Sequence, residues 1–102
     1  MAAETDVSGA TIYIVECADG SYYTGITRRD PDTRVSEHNQ GLDPSSYTFT
    51  RRPVRLVFSS FFDRVDEAIA TERRIKGWSR AKKEALMRGD YDALPALAKR
   101  RK

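Results

Sequence analysis

Two runs rich in β-branched and aromatic residues, 11–17 and 22–27, flank Ala18-Asp19-Gly20-Ser21, and this turn narrows the possible folds more than any other stretch. Such runs read as strands, and Asp-Gly between them reads as a hairpin turn. Loop length fixes the register, and register fixes which side chains share a face, because they alternate along a strand. With a two-residue Asp19-Gly20 turn, Tyr13 would face Ile26 and Tyr23 would point to the other side of the sheet. With a three-residue Ala18-Asp19-Gly20 loop and Gly20 left-handed, Tyr13 faces Gly25 and Val15 faces Tyr23. Both tyrosines then share a face, and Gly25 leaves room above the Tyr13 ring. The three-residue loop is the expectation.

Asp30-Pro31 starts a helix, a capping carboxylate followed by a first-turn proline, and Gly41 stops it, giving a helix over about 31–40. Residues 42–53 form a loop rich in Ser, Thr, Pro and Arg that carries Tyr47 and Phe49. Residues 54–62 read as a third strand, with Leu56, Val57, Phe58, Phe61 and Phe62 as core. Asp63 is predicted to cap a longer helix ending at Gly77. Ser79 is predicted to cap another, running to about Arg88 with Ala81, Ala85 and Leu86 on one side. A short helix interrupted at Pro95 is predicted within 90–98, ahead of a mobile basic end. The order β-β-α-β-α-α describes an α+β fold, a three-stranded, mainly antiparallel sheet flanked by helices. The expected organisation is a flexible leader over 1–10, one domain over 11–88 and a basic extension over 89–102.

With 102 residues, 39% hydrophobic and 32% charged, the chain suits one soluble domain with a small core. No apolar run approaches the roughly 18 residues that span a bilayer. Residues 1–10 lack the basic start and apolar centre of a signal peptide, so a cytoplasmic location is expected and no membrane partner. The single Cys17 excludes an internal disulfide and a cysteine-cluster zinc site. The formal net charge of +3 biases the surface toward anions, and the basic residues fall in clusters such as Arg51-Arg52 and Arg80-Lys82-Lys83.

The hydrophobic pattern breaks at Glu72. Val65, Ala68, Ile69 and Ile75 define an apolar stripe on their helix, and Glu72 takes the next stripe position after Ile69. A carboxylate facing a core is costly unless it is paired, hydrogen-bonded or bound to a metal. The ordinary explanation is an ion pair with Lys76 one turn on, in the favourable Glu-to-Lys order. Arg34 and His38 lie four residues apart on one helix face, where Arg34 could simply pair with Glu37. Each of these residues, like Tyr13 and Tyr23, has an ordinary structural explanation. Their predicted convergence on one sheet–helix junction favours a functional one.

Taken in order, these residues resemble the GIY-YIG nuclease domain, in particular small single-domain bacterial members grouped as URI-domain endonucleases. The resemblance covers about 11–86 and rests on Tyr13 within Thr11-Ile12-Tyr13, on Tyr23-Thr24-Gly25, and on Arg34-x-x-x-His38-Asn39-x-Gly41. It continues through Arg52-Pro53-Val54 and Glu72-x-x-Ile75-Lys76-Gly77-Trp78-Ser79-Arg80. Two departures stand out: Thr11 replaces the first glycine of the family motif, and Thr24 replaces its second isoleucine. The asparagine that many members carry after the glutamate is also missing, with Lys76 or Lys83 as the candidate electrostatic substitute.

The resemblance implies hydrolysis of a phosphodiester by water with one divalent cation, Mg²⁺ or Mn²⁺, bound by Glu72. Tyr13 is implied as general base or water-orienting group, Arg34 as the donor to phosphate, and Tyr23 and His38 as the rest of the network. A phenol with a reference value near 10 would need nearby cations to act as a base at neutral pH. Gly25, Arg51, Arg52, Lys76, Arg80 and Lys83 are the expected substrate-binding residues. The implied partner is nucleic acid, DNA ahead of RNA, with a role in repair or recombination; oligomeric state is left open. The competing expectation is a nucleic-acid-binding module with this fold that cuts poorly or not at all, and a third is a protein-interaction domain.

Overall fold

A computed structural model describes residues 9–90. Most of the expected leader, the helix around Pro95 and the basic end lie outside the described residues. The elements are β1 (Ala10–Glu16), β2 (Tyr22–Thr27), α1 (Pro31–Gln40), a 3-10 turn (Phe49–Arg51), β3 (Arg55–Phe62), α2 (Val65–Lys76) and α3 (Arg80–Arg88). The sheet is antiparallel with strand order β2-β1-β3, so the expected α+β order β-β-α-β-α-α holds.

The hairpin takes the three-residue form. Tyr13 pairs with Gly25 and Val15 with Tyr23. Gly20 sits at φ 85°, the left-handed region where a β-carbon would be strained. Cys17 N–H donates to Ser21 O at 2.8 Å and closes the loop. The α1 boundaries also follow their signals: Asp30 accepts from Thr33 N–H at 3.0 Å, and Gly41 ends the helix at φ 70°.

Alternation along β1 gives the sheet two unlike faces. Ala10, Ile12 and Ile14 pack with Ala68 and Ile75 of α2 and Leu86 of α3 in an all-apolar cluster. Tyr13 and Val15, with Cys17 just beyond the strand, pack with Val35 of α1 and with Val54 on the other face. There, Asn39 clasps the backbone of Val54, accepting its N–H at 2.7 Å and donating to its carbonyl at 2.9 Å, which ties the end of α1 to the start of β3.

Four local expectations are corrected. Phe61 is 59% exposed, because β3 alternation puts Phe58 and Phe62 against the α2/α3 cluster and turns Phe61 the other way. Ile69 is 39% exposed, since the inward line of α2 runs through Ala68, Glu72 and Ile75. On α3 the buried residues are Lys82, Ala85 and Leu86 rather than Ala81, and the Lys82 ammonium lies 4.0 Å from the Trp78 ring centre. The α2 cap position falls on Arg64, not Asp63, and carries no side-chain cap. Acids in the first turn, Asp66 and Glu67, supply the favourable charge at that positive terminus instead.

Candidate active site

The β1–β2 register sets two phenols side by side, with ring centres of Tyr13 and Tyr23 6.4 Å apart. Gly25 makes this possible: a β-carbon there would collide with Oη and Cζ of Tyr13. α1 crosses this face and brings His38 against both rings, 6.0 Å from Tyr13 and 5.6 Å from Tyr23. His38 Nε2 lies 3.0 Å from Tyr13 Oη. Its other nitrogen, Nδ1, lies 2.8 Å from Thr48 Oγ1, which is in turn 3.0 Å from Ser46 Oγ. Tyr13, His38 and Thr48 are all buried, so this is a polar chain inside the protein.

Arg34, one turn before His38, lies close enough to the Tyr13 phenol for its charge to act on it, and pairs with Glu37 at 3.2 Å. Glu37 is held below the usual carboxylate range, first by its hydrogen bond from Arg29. The guanidinium favours the phenolate, yet burial outweighs it, and the Tyr13 phenol is pushed up to about 12. Tyr13 therefore carries its proton at neutral pH; the cation assistance anticipated from sequence is present and is outweighed. Burial, followed by the Arg34 charge, moves His38 below the usual histidine range, so the imidazole is neutral.

From the opposite side of the sheet, α2 supplies Glu72. Its charge adds to the rise of the Tyr13 phenol, which places it within electrostatic reach. Its Oε2 lies 3.0 Å from Lys76 Nζ, and that ammonium is 5.8 Å from the Tyr23 ring centre. Lys83 is held below the usual lysine range, first by burial and then by Lys76, so the two ammoniums are neighbours. Tyr13, Tyr23, Gly25, Arg34, His38, Glu72, Lys76 and Lys83 thus gather around one region.

The remaining basic residues divide. Tyr47 stacks on Tyr23 at 5.9 Å and 17°, and the Arg51 guanidinium covers Tyr47 at 3.8 Å, so Arg51 borders the site. Arg51 also pairs with Asp19 of the hairpin turn at 3.3 Å. Arg52 lies over Phe49 and donates to Phe49 O at 2.7 Å, lining a groove with Asn39 and Pro53. Arg80 covers Tyr22 at 4.4 Å, donates to Gly20 O at 2.8 Å and pairs with Glu84. Tyr22 belongs to the opposite sheet face, so Arg80 stands apart from the tyrosine pair. Sequence reasoning missed Thr48, whose loop has no periodicity to mark it as buried.

Among the described residues no three His, Cys, Asp or Glu side chains are grouped to hold a metal ion, and no helix is long and apolar enough to cross a membrane. A lone buried carboxylate fits a hard cation that keeps several waters and takes its other ligands from a phosphate. The Lys76 ammonium on Glu72 shows that a positive charge can seat there.

The family described as the GIY-YIG catalytic domain matches residues 9–85. A UPF0213 protein of Halobacterium salinarum is 52% identical over 75 residues, 74% of this chain and 95% of its own length. A UPF0213 protein of Staphylococcus saprophyticus is 47% identical over 76 residues, 74% of this chain and 90% of its own. A solution NMR structure of an E. faecalis protein, 33% identical, superposes with a TM-score of 0.56 over 81% of this chain and 86% of that one.

Proposed function

The chain belongs to the GIY-YIG catalytic domain family, and from that premise we propose that it is a metal-dependent endonuclease hydrolysing phosphodiester bonds, in DNA ahead of RNA, in the cytoplasm. The observation that carries this reading is the buried contact between Tyr13 Oη and His38 Nε2, with the Arg34 charge acting on the same phenol. A neutral phenol hydrogen-bonded to a neutral imidazole can pass a proton through itself. Water gives its proton to Tyr13 as the Tyr13 proton moves to His38 Nε2, and the water oxygen bonds to phosphorus as the opposite P–O bond breaks. The leaving oxygen takes a proton from solvent, and the proton on His38 returns through Tyr13 to solvent, which resets the site.

This coupling avoids a free phenolate. With a phenol near 12, ionising it first at pH 7 would cost about 7 kcal/mol. Arg34 donates to phosphate oxygens as charge builds on them, and Lys76 and Lys83 add positive potential beside them. A single Mg²⁺ or Mn²⁺ held by Glu72 would lower the pKa of a bound water and draw charge from the phosphate. Tyr47 and Arg51 border the nucleic-acid path, where the Arg51 guanidinium can donate to backbone phosphate.

The Glu72–Lys76 pair favours a second reading, a module that binds nucleic acid without cutting it. Single-stranded, duplex and branched DNA with Mg²⁺ or Mn²⁺ separate the two, with wild type run beside Tyr13→Phe, Arg34→Ala and Glu72→Ala. Cutting by wild type that disappears in Glu72→Ala supports the nuclease. Salt-sensitive binding without cutting supports the module, and equal cutting by all four proteins contradicts a site-borne activity.

A further inference from the structure

We propose that Thr48 is a positioning residue: it holds His38 in the tautomer with the proton on Nδ1, leaving Nε2 as the acceptor for Tyr13. The inference builds on the nuclease reading of this site and deepens it. Its basis is hydrogen-bond satisfaction in a buried place. The partner described for the buried Tyr13 oxygen is His38 Nε2 at 3.0 Å, and the Arg34 guanidinium, whose charge reaches that oxygen, can offer it only donors. The phenolic proton needs an acceptor, and an Nε2–H tautomer would confront it with a second donor. The Nδ1–H tautomer resolves this, provided Nδ1–H has an acceptor of its own.

Thr48 Oγ1 is that acceptor, 2.8 Å away on a residue only 1% exposed. A hydroxyl can donate as well as accept, so Thr48 holds this tautomer only if its own hydrogen points elsewhere. Ser46 Oγ takes it: that oxygen lies 3.0 Å from Thr48 Oγ1 and already accepts Thr48 N–H at 3.3 Å. Beyond Ser46, a cavity of about 20 Å³ lined by Arg34, Glu37, His38, Asp43, Ser46 and Thr48 has room for one water to receive the Ser46 hydrogen. Every hydroxyl from Tyr13 to Ser46 then points in one sense, away from the Tyr13 proton.

His38 is the only histidine in the chain, so its ring nitrogens can be read without assignment ambiguity in ¹⁵N-labelled full-length protein. Two-bond ¹H–¹⁵N correlation spectra should show Nδ1 protonated in wild type and in Thr48→Ser. Thr48→Val keeps the shape and removes the acceptor, and its spectrum should move to mixed or Nε2–H character. In the cleavage assay Thr48→Val should lower kcat roughly 10–100-fold, the range for loss of an imidazole's outer partner, and leave KM nearly unchanged. Thr48→Ser should restore the rate.

Nε2–H in wild type, or an unchanged tautomer in folded Thr48→Val, overturns the proposal. If Thr48→Val does not fold, the wild-type and Thr48→Ser spectra decide it. The spectra need no nucleic acid: an Nδ1–H tautomer without cutting by any protein supports the positioning role and removes the nuclease reading. The converse pairing, cutting with the wrong tautomer, does the reverse.

Discussion

The two faces of the sheet are built from alternate residues of the same strand and solve opposite problems. On one, Ile12 and Ile14 meet Ala68, Ile75 and Leu86, and burial of apolar area is the whole contribution. On the other, Tyr13 is as deeply buried as its neighbours but carries a hydroxyl, and beside it His38 and Thr48 are buried with it. Buried polar groups add little net stability even when satisfied and cost much when one partner is lost. The apolar face therefore holds the protein together, and the polar face spends core volume on an ordered chain of hydrogen bonds.

The comparison is broken most easily by changes that should affect one face alone. Tyr13→Phe should reduce cleavage by about 10²–10⁴-fold, the usual worth of a proton-transfer group, and cost about 1–3 kcal/mol because His38 Nε2 loses its buried partner. A loss of stability with cleavage per folded molecule unchanged would mean that the hydroxyl is structural. Ile14→Ala, one residue away, should cost about 2–5 kcal/mol in denaturant unfolding and leave the rate per folded molecule intact. Gly25→Ala should do some of each, since the added methyl meets the Tyr13 ring: about 1–3 kcal/mol of overpacking, together with lost cleavage.

Acid should sharpen the contrast further. His38 faces Tyr13 and Tyr23 from the strands, Arg34 and Glu37 from its own helix, and Asp43 from the following loop. Its folded pKa lies below its unfolded value, so the unfolded chain takes up the proton first as pH falls. The stability associated with the neutral ring is complete above about pH 6.5 and is lost as pH drops toward the folded value. Thermal midpoints measured between pH 7.5 and 5 should fall in wild type and fall less in His38→Gln. At the small end, Arg29→Ala removes an exposed pair with Glu37 and should leave the thermal midpoint nearly unchanged.

Local chemistry explains which features were legible. The register followed from one turn, because Gly20 alone can take the left-handed position that a three-residue loop requires. The α1 boundaries followed from Asp30 and Gly41, whose capping bonds involve near neighbours in the chain. Phe61 and Ala81 were misjudged because burial depends on which face a distant element covers, and apolar character alone does not report that. Glu72 announced itself by interrupting a stripe, while Thr48 sits in a loop whose composition is polar throughout. Only the tertiary position of His38 turns that threonine from a loop hydroxyl into a buried partner.

The strand order also bears on how the molecule comes to be assembled. β1 is central, its partner β2 is joined to it by a short turn, and β3 arrives only after α1 and a long loop. Tyr13, Tyr23, His38 and Thr48 all lie within 36 consecutive residues, 13–48, whereas Glu72 comes 24 residues later. Closing the longer loop carries the larger entropy cost, so the hairpin and α1 are expected to gather first and α2 to dock last. Pulse-labelled amide exchange during refolding would test that order: protection of α2 ahead of the hairpin would reverse it. In a chain emerging from the ribosome, the proton path would then exist before the carboxylate, and the site would be completed only as α2 seats.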